Sequence, residues 1–404
     1  MCVVGGGVIG SWAAVAARKR GQSVVLVEQF QRCHSMGSSH GDGRIWRKAY
    51  EEDVYVDMME QSLEAWTSLS KGASEPLLAH TGMLCLEDDD ETSKESALEG
   101  LVSLFERRKV SHERMTAREV RCQFSQYDRL PDDIRAVHLD DAGVVYASKA
   151  VASTWALAEN LGVHTMEAQP LRKLSKKSDF HIIDTKDHSF EAKHLIVAPG
   201  SWLSQVASTF FGVEVPTRVT RELVSYHGVR SEDYSVKAGM PVFTARCDNG
   251  LGPHGYYGIP KIDVQGLKVS AHHCGELIID DNDYSKENSP EDILASNKNF
   301  LRRIWGSKEG GVDPDDVVES QRCLYTGSPD LDYILGPIST EERVILVGGG
   351  SGHAFKNAPA LGEAAACLAL GITPPFDVSP FAVDRPAIVN ARGNKLVPTA
   401  AKCK

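Results

Sequence analysis

Apolar and polar positions along the chain alternate in three different ways, and each predicts its own kind of element. The opening MCVVGGGVIGSWAAVAARKRGQSVVLVE runs apolar, glycine-rich, apolar with a basic end, then apolar again. That order predicts a short buried strand over 2–4 and a helix over 12–19. The helix ends on a basic last turn that suits its dipole and stops at Gly21. SVVLVE then predicts a second buried strand that finishes on Glu28. From about Asp53 to Leu69 the spacing is helical, with Met59, Leu63, Trp66 and Leu69 on one face. A strand is expected from near Thr81, a polar outer layer with helical stretches over 88–135, and a helix from about Ser148. Buried strands are expected near 163–167, 181–184 and 194–198. From 215 to 318 the runs are short and alternating, as in KAGMPVFTAR and GLKVSAHH, which predicts antiparallel strands. Residues 344–371 return to strand, glycine turn and helix.

The first turn carries chemistry. Gly5, Gly7 and Gly10 form GxGxxG with a strand before and a helix after, and Glu28 lies 18 residues past Gly10. Glycines there let backbone N–H groups reach a pyrophosphate at the helix N-terminus, and the acid accepts from a ribose hydroxyl. The pattern predicts a dinucleotide and does not separate FAD from NAD. HLIVAPGSWL, with Gly200, reads as a strand returning to the same sheet. A chain of 404 residues is too long for one core. The expected fold is therefore α/β with an α+β second domain. A Rossmann-like nucleotide-binding domain would be assembled from 1–79, 144–214 and 319–404. An antiparallel-sheet domain of 80–143 and 215–318 would face the substrate.

Composition narrows the partners. The net charge of -11 argues against nucleic acid and requires any anion site to be a local cluster of cations. The 9 cysteines contain no CxxC pair, so neither a metal site nor a disulfide framework is expected, and a reducing compartment is. No apolar run approaches the roughly 20 residues that cross a bilayer. With the first motif at Gly5, no signal peptide fits either.

One such cation cluster is GSSHGDGRIWRKAY, residues 37–50, where Arg44 and Arg47 stand three apart among Gly37, Gly41 and Gly43. It reads as a loop built to hold an anion. In GLKVSAHH, Lys268, Ser270 and His272 share one strand face, as do Cys323 and Tyr325 in CLYTGSPD. A solvated lysine and a packing cysteine are the ordinary readings of such residues. GGGSGHAFKNAP has a glycine turn, but Lys356 is misplaced for a P-loop, which excludes an NTPase.

Taken together, GSSHGDGRIWRKAYEEDVY, GLKVSAHH, CLYTGSPD and GSGHAFKNAP resemble the monomeric sarcosine oxidase and peroxisomal sarcosine and L-pipecolate oxidase family. These are FAD enzymes of the glycine-oxidase and D-amino-acid-oxidase type. The resemblance runs nearly end to end. It implies that Gly5, Gly7, Gly10, Glu28, Ser38, Gly200, Gly350 and Gly352 belong to the FAD site. Cys323 would carry the flavin through a thioether. Arg47 and Lys356 would clamp a carboxylate, with Lys356 also beside the cofactor. Arg44 would lie against the ring, with His40 and Asp42 shaping its loop. Tyr257, His272 and Tyr325 would line the substrate pocket, and Lys268 would face flavin N5, where oxygen reacts. The activity implied is oxidation of N-methyl or cyclic secondary amino acids of the sarcosine, L-pipecolate and L-proline type. Hydride would pass to N5, and O2 would become hydrogen peroxide. The alternative is a flavin dehydrogenase of the same fold with another acceptor. An NAD-dependent dehydrogenase leaves CLYT, KVSAHH and HGDGR unexplained. The resemblance also implies a monomer in the peroxisome. The C-terminal AAKCK is not an SKL-type signal, which leaves the cytosol open. Two further departures are Gly336, where the family often has an acid, and Gly350, where a phenylalanine is common.

Overall fold

The computed structural model describes residues 1–89, 96–248, 253–278, 291–306, 311–338 and 341–393; the C-terminal tripeptide lies outside them. Two sheets organise the chain. The first has six strands, in the spatial order Ile334–Ile338, Glu341–Gly348, Leu195–Val197, Cys2–Val4, Val25–Val27 and His164–Met166. All pairs are parallel except the one between Ile334–Ile338 and Glu341–Gly348. Its central strands are covered on both faces, which is why they read as unbroken apolar runs: Cys2, Val3, Leu26 and Ile196 have no exposed surface.

The helices against this sheet are small-residue helices that pack closely. Val8–Lys19 is buried at every position from Gly10 to Ala17. It meets Ala358–Ala369 at Gly362, where a β-carbon would lie 2.6 Å from the Ala13 nitrogen. Ala147–Asn160 brings Trp155 under the first turn, where its indole N–H donates to the Gly6 carbonyl at 2.8 Å. The helices expected from the periodicity at 53–69 and 148 onward are Asp53–Gly72 and Ala147–Asn160.

The second sheet has nine strands, with Arg218–Val229 near one edge flanked by Leu267–Ala271 and the 16-residue strand Val312–Gly327. The latter runs without a break through residue 319. Its pairs are antiparallel with one exception: Met83–Asp88 runs parallel to Val242–Asp248. The helix Glu291–Trp305 covers this sheet and buries Phe300, Leu301, Ile304 and Trp305 completely.

A third, three-stranded sheet sits where the other two approach. It pairs Gly43–Arg47 with Ala142–Tyr146, and that strand with Leu78–His80. Residues 43–47 of the stretch expected as a loop are therefore a strand. Trp46 is fully buried in it, and Gly143 opposite is required because a β-carbon there would stand 1.9 Å from the Ala79 oxygen. The consequence is chemical: three residues apart on a strand means opposite faces, so Arg44 and Arg47 do not act as a pair.

Candidate active site

One continuous cavity of about 1500 Å³ runs from the GxGxxG turn, past Cys323, to Arg47 and Lys356. At one end stands the turn itself. Gly5 has φ +99°, and a β-carbon on it would lie 2.3 Å from the Ala198 oxygen. At Gly10 a β-carbon would meet the Gly5 oxygen at 1.8 Å, so Gly10 shapes the turn from behind and does not line the cavity. Helix Val8–Lys19 starts at Gly7, which offers no side chain to cap it, and has no acid in its first turn; the Ser39 hydroxyl accepts the Val8 N–H at 3.1 Å, and the positive end carries no opposing charge from its own first turn. Glu28 lines the cavity and is 5% exposed. Its carboxylate accepts from the Gly6 N–H at 2.7 Å and the Phe30 N–H at 2.9 Å, which fixes its orientation. Gly200 and Gly350 line the same stretch. Acceptor carboxylate, acid-free helix start and a turn with no room for β-carbons at Gly5 and Gly10 fit the ADP half of FAD.

Midway, the loop before Gly43 is held from several sides. The Ser38 hydroxyl donates to the Leu324 carbonyl, beside Cys323. Asp42 accepts the Val264 N–H at 3.0 Å through Oδ2 and the Ala147 N–H at 2.9 Å through its carbonyl. Arg44 lines the cavity, but its guanidinium donates to the carbonyls of Gly43, His40 and Ser38 at 2.9, 2.8 and 3.2 Å. It lies 5.6 Å over the Phe355 ring. His40 is off the cavity wall with Nε2 buried and unpartnered among the described residues. Burial, then the Arg44 charge, pushes its imidazole down to about 4, so it is neutral. Cys323 reaches the cavity from strand Val312–Gly327 and is 6% exposed. Burial pushes its thiol up, against the opposing charges of Arg44 and Lys268.

At the far end Arg47 and Lys356 both lie against one ring. The Arg47 guanidinium is 4.7 Å and the Lys356 ammonium 5.3 Å from the Tyr50 centroid. Lys356 is 6% exposed and donates to the His353 carbonyl at 2.8 Å. Among the described residues neither cation has a carboxylate partner. Burial, then the Arg47 charge, holds Lys356 well below the usual lysine range. His272 Nδ1 and the Tyr325 hydroxyl are 3.0 Å apart, and Tyr257 meets His272 edge-on at 5.8 Å. Burial keeps His272 neutral and raises Tyr325 well above, and Tyr257 to about 12. Gly352, at φ +80°, lets the glycine turn press on this pair: a β-carbon would be 2.6 Å from the Tyr325 ring and 2.9 Å from the His272 ring.

Lys268 stands apart. It is 2% exposed, is not on the cavity wall, and donates to the Gly43 carbonyl at 2.9 Å from behind the loop. Two wall residues were not singled out from the sequence. Tyr50 is the ring beneath both cations. His353 joins the Tyr333 hydroxyl at 2.8 Å and that of Tyr50 at 3.4 Å. Both lie inside quoted motifs, RKAY and GSGHAFK, but an aromatic beside apolar residues reads as core. Among the described residues no group of His, Cys, Asp and Glu could hold a metal, and no helix is long and apolar enough to cross a membrane.

The chain as a whole has counterparts in sequence and fold. The model of the FAD-dependent oxidoreductase family DAO matches residues 1–368, and the chain belongs to that family. It is 30% identical to human peroxisomal sarcosine oxidase over 386 residues, covering 95% of each chain. It is 28% identical to N-methyl-L-tryptophan oxidase of Salmonella arizonae over 394 residues, 95% of this chain and 98% of that one. Among solved structures, NikD, an unusual amino acid oxidase essential for nikkomycin biosynthesis, superposes with a TM-score of 0.79 at 20% identity, covering 94% of this chain and 96% of that one. L-Proline dehydrogenase from P. horikoshii gives 0.77 at 20%, covering 95% and 96%. These two likenesses speak for the fold.

Proposed function

We propose that the protein is an FAD-dependent oxidase of N-methyl or cyclic secondary amino acids, with dioxygen as acceptor. The observation that carries this is the pair Arg47 and Lys356: two cations at one wall of the cavity, with no counter-ion among the described residues. In a chain of net charge -11 such a pair calls for an anionic ligand. A carboxylate suits it, since the guanidinium fork matches two carboxylate oxygens. Gly5, Gly7, Glu28, Gly200 and Gly350 would hold FAD, and bound FAD would supply the hydride acceptor at ring N5 and pass the electron pair to dioxygen. The names of the two curated relatives point to N-methyl amino acids, and the human one to the peroxisome.

The remaining steps belong to the chain. Arg47 and Lys356 bind the carboxylate and so set the orientation of the Cα and the amine. The reacting amine must be unprotonated, and neutral His272 beside Tyr257 and Tyr325 puts no cation against it. Gly352 lets the glycine turn close against the Tyr325 and His272 rings on this side of the pocket. The test is a peroxide assay on purified protein with sarcosine, L-pipecolate, L-proline and N-methyl-L-tryptophan. Turnover with an artificial electron acceptor and no peroxide would establish the dehydrogenase alternative.

Two results are expected at once. In the empty pocket Lys356 is held toward its neutral form, and a bound carboxylate restores the ammonium. A carboxylate inhibitor that lacks an amine should therefore take up a proton from solvent. Calorimetry in buffers of different ionisation enthalpy reads this directly, and a buffer-independent enthalpy rejects it. For Cys323, flavin is expected to stay with the acid-precipitated protein, and Cys323→Ser to release it to the supernatant. Free flavin from the wild type rejects the covalent link.

A further inference from the structure

Strand Arg218–Val229 carries a buried carboxyl group that the site described so far does not use. Glu222 is 1% exposed. It lies directly opposite Cys323 in the antiparallel pair with Val312–Gly327. Directly opposed side chains share a face, with β-carbons about 4.5–5.5 Å apart. One carboxylate oxygen is held in place: the Thr220 hydroxyl donates to Oε1 at 2.6 Å, and the N–H groups of Cys274 and Gly275 also donate to the carboxylate. The turn after His272 closes tightly on it, since a β-carbon at Gly275 would be 2.5 Å from Oε1. The second oxygen, Oε2, is buried and has no hydrogen-bond partner among the described residues. Among the described residues no cation pairs with Glu222. The titratable groups that face it are Cys323 and Tyr325 from the opposite strand, while Arg44 and Lys268 act on the Cys323 sulfur. From the 272–275 turn it is backbone amides that reach it.

A buried carboxyl group opposite a cavity-facing thiol, near enough to act on its charge, is placed to take the thiol's proton. We propose that Glu222 is the base that takes the Cys323 proton when the sulfur bonds to the flavin, a role that rests on the reading of Cys323 as the attachment point. The S–H bond breaks and an O–H bond forms at Oε2. The negative charge moves to sulfur, where the Arg44 charge favours it. In the attachment that follows, the ring methyl carbon loses one proton and sulfur donates the electron pair of the S–C bond. The ring ends reduced by two electrons, and dioxygen is the oxidant that restores it. A thiol sealed beneath a bound flavin has no water to receive its proton, so an adjacent acceptor decides the rate. Burial raises the Glu222 carboxyl to about 7, close enough to a thiol to exchange a proton with it.

The two groups share one proton, and that leaves a signature. Between the titrations of the pair, the fraction of thiolate does not change with pH, because the proton moves inside the pair. The full-length chain, expressed under riboflavin limitation, is treated with iodoacetamide, and alkylation of Cys323 is followed by peptide mass spectrometry. In the wild type the rate is expected to level off above about pH 7 and stay flat toward pH 9. In Glu222→Gln it is expected to climb about tenfold per pH unit across the same window. A wild-type rate that itself climbs tenfold per unit overturns the proposal, and this arm holds even if the variant fails to fold. FAD is then added to both proteins. Acid-stable flavin should form at least about tenfold more slowly in Glu222→Gln, and equal rates overturn the proposal. If wild type forms no acid-stable flavin, the premise about Cys323 fails and the proposal falls with it. A flat alkylation profile would then show that the proton pair itself exists.

Discussion

Lys268→Met is expected to slow reoxidation of the reduced flavin by about 10²–10³-fold and to leave its reduction by substrate nearly unchanged, a loss of about 3–4 kcal/mol of stabilisation confined to one half-reaction. Reaction with dioxygen creates superoxide first, so a new anion appears in a water-poor site. A fixed cation nearby lowers that barrier. Lys268 is not on the cavity wall; its ammonium sits one layer behind, on the Gly43 carbonyl. Its effect is therefore electrostatic and does not depend on contact. Burial, and next the Arg44 charge, lowers its ammonium to about 7, so the reoxidation rate of wild type should fall as pH rises and the charge is lost. Stopped-flow measurement of the two half-reactions tests this. Reoxidation at the wild-type rate, or slowing of the reductive half alone, would sink the assignment. Misfolding can be told apart from it. A lysine whose folded pKa is depressed costs stability at pH 7 and below, and the cost disappears as pH rises toward 10.5. The methionine variant should thus melt at or above wild type at pH 7, with the gap closing at high pH.

What the sequence displays and what it conceals follow from where each constraint acts. The GxGxxG turn is legible because its constraint is local. A side chain at Gly10 would overlap the Gly5 carbonyl, and Gly5 itself sits at φ +99°, so the glycine spacing marks the turn. The strand Gly43–Arg47 is not, because glycines and charges normally mark a loop. What makes it a strand is pairing with Ala142–Tyr146, about a hundred residues later. The same distance problem hides the parallel pairing of Met83–Asp88 with Val242–Asp248 in a region that reads as antiparallel. The helix Glu291–Trp305 had a local signal, Ile293, Phe300, Leu301 and Ile304 at helical spacing, inside a range otherwise made of short strands. In the site, Arg47 and Lys356 stand out by charge. Tyr50 does not, since only the fold shows two cations over one tyrosine ring. Glu222 is the single acid in strand Arg218–Val229, and its meaning appears only once Cys323 stands opposite.

Arg47→Ala is expected to weaken carboxylate inhibitors by about 10²–10³-fold while the flavin spectrum of the enzyme stays as in wild type. The size follows from the setting. One charge pair at ~4 Å is worth roughly 4 kcal/mol at an effective dielectric of 20, and truncating one partner of a buried, hydrogen-bonded charge pair costs about 2–5 kcal/mol. Arg47 makes no ion pair among the described residues, so no existing partner is orphaned by the change and the free protein should not be destabilised through one. The other cations in the neighbourhood cannot substitute. Lys48 is held by Asp141 at 2.8 Å and Glu60 at 3.7 Å. Arg44 faces the other way and is bound to its own loop carbonyls. Lys356 remains, but as a point charge without the planar fork. Its ammonium is held down by the Arg47 charge as well as by burial, so removal of Arg47 makes Lys356 easier to protonate. Arg47→Lys should therefore recover part of the affinity and not the whole, because charge returns without bidentate geometry. Titration of the flavin spectrum with a carboxylate inhibitor measures all three proteins. Unchanged affinity in Arg47→Ala would remove Arg47 from the binding site, and full recovery in Arg47→Lys would show that charge alone, not the guanidinium fork, holds the carboxylate.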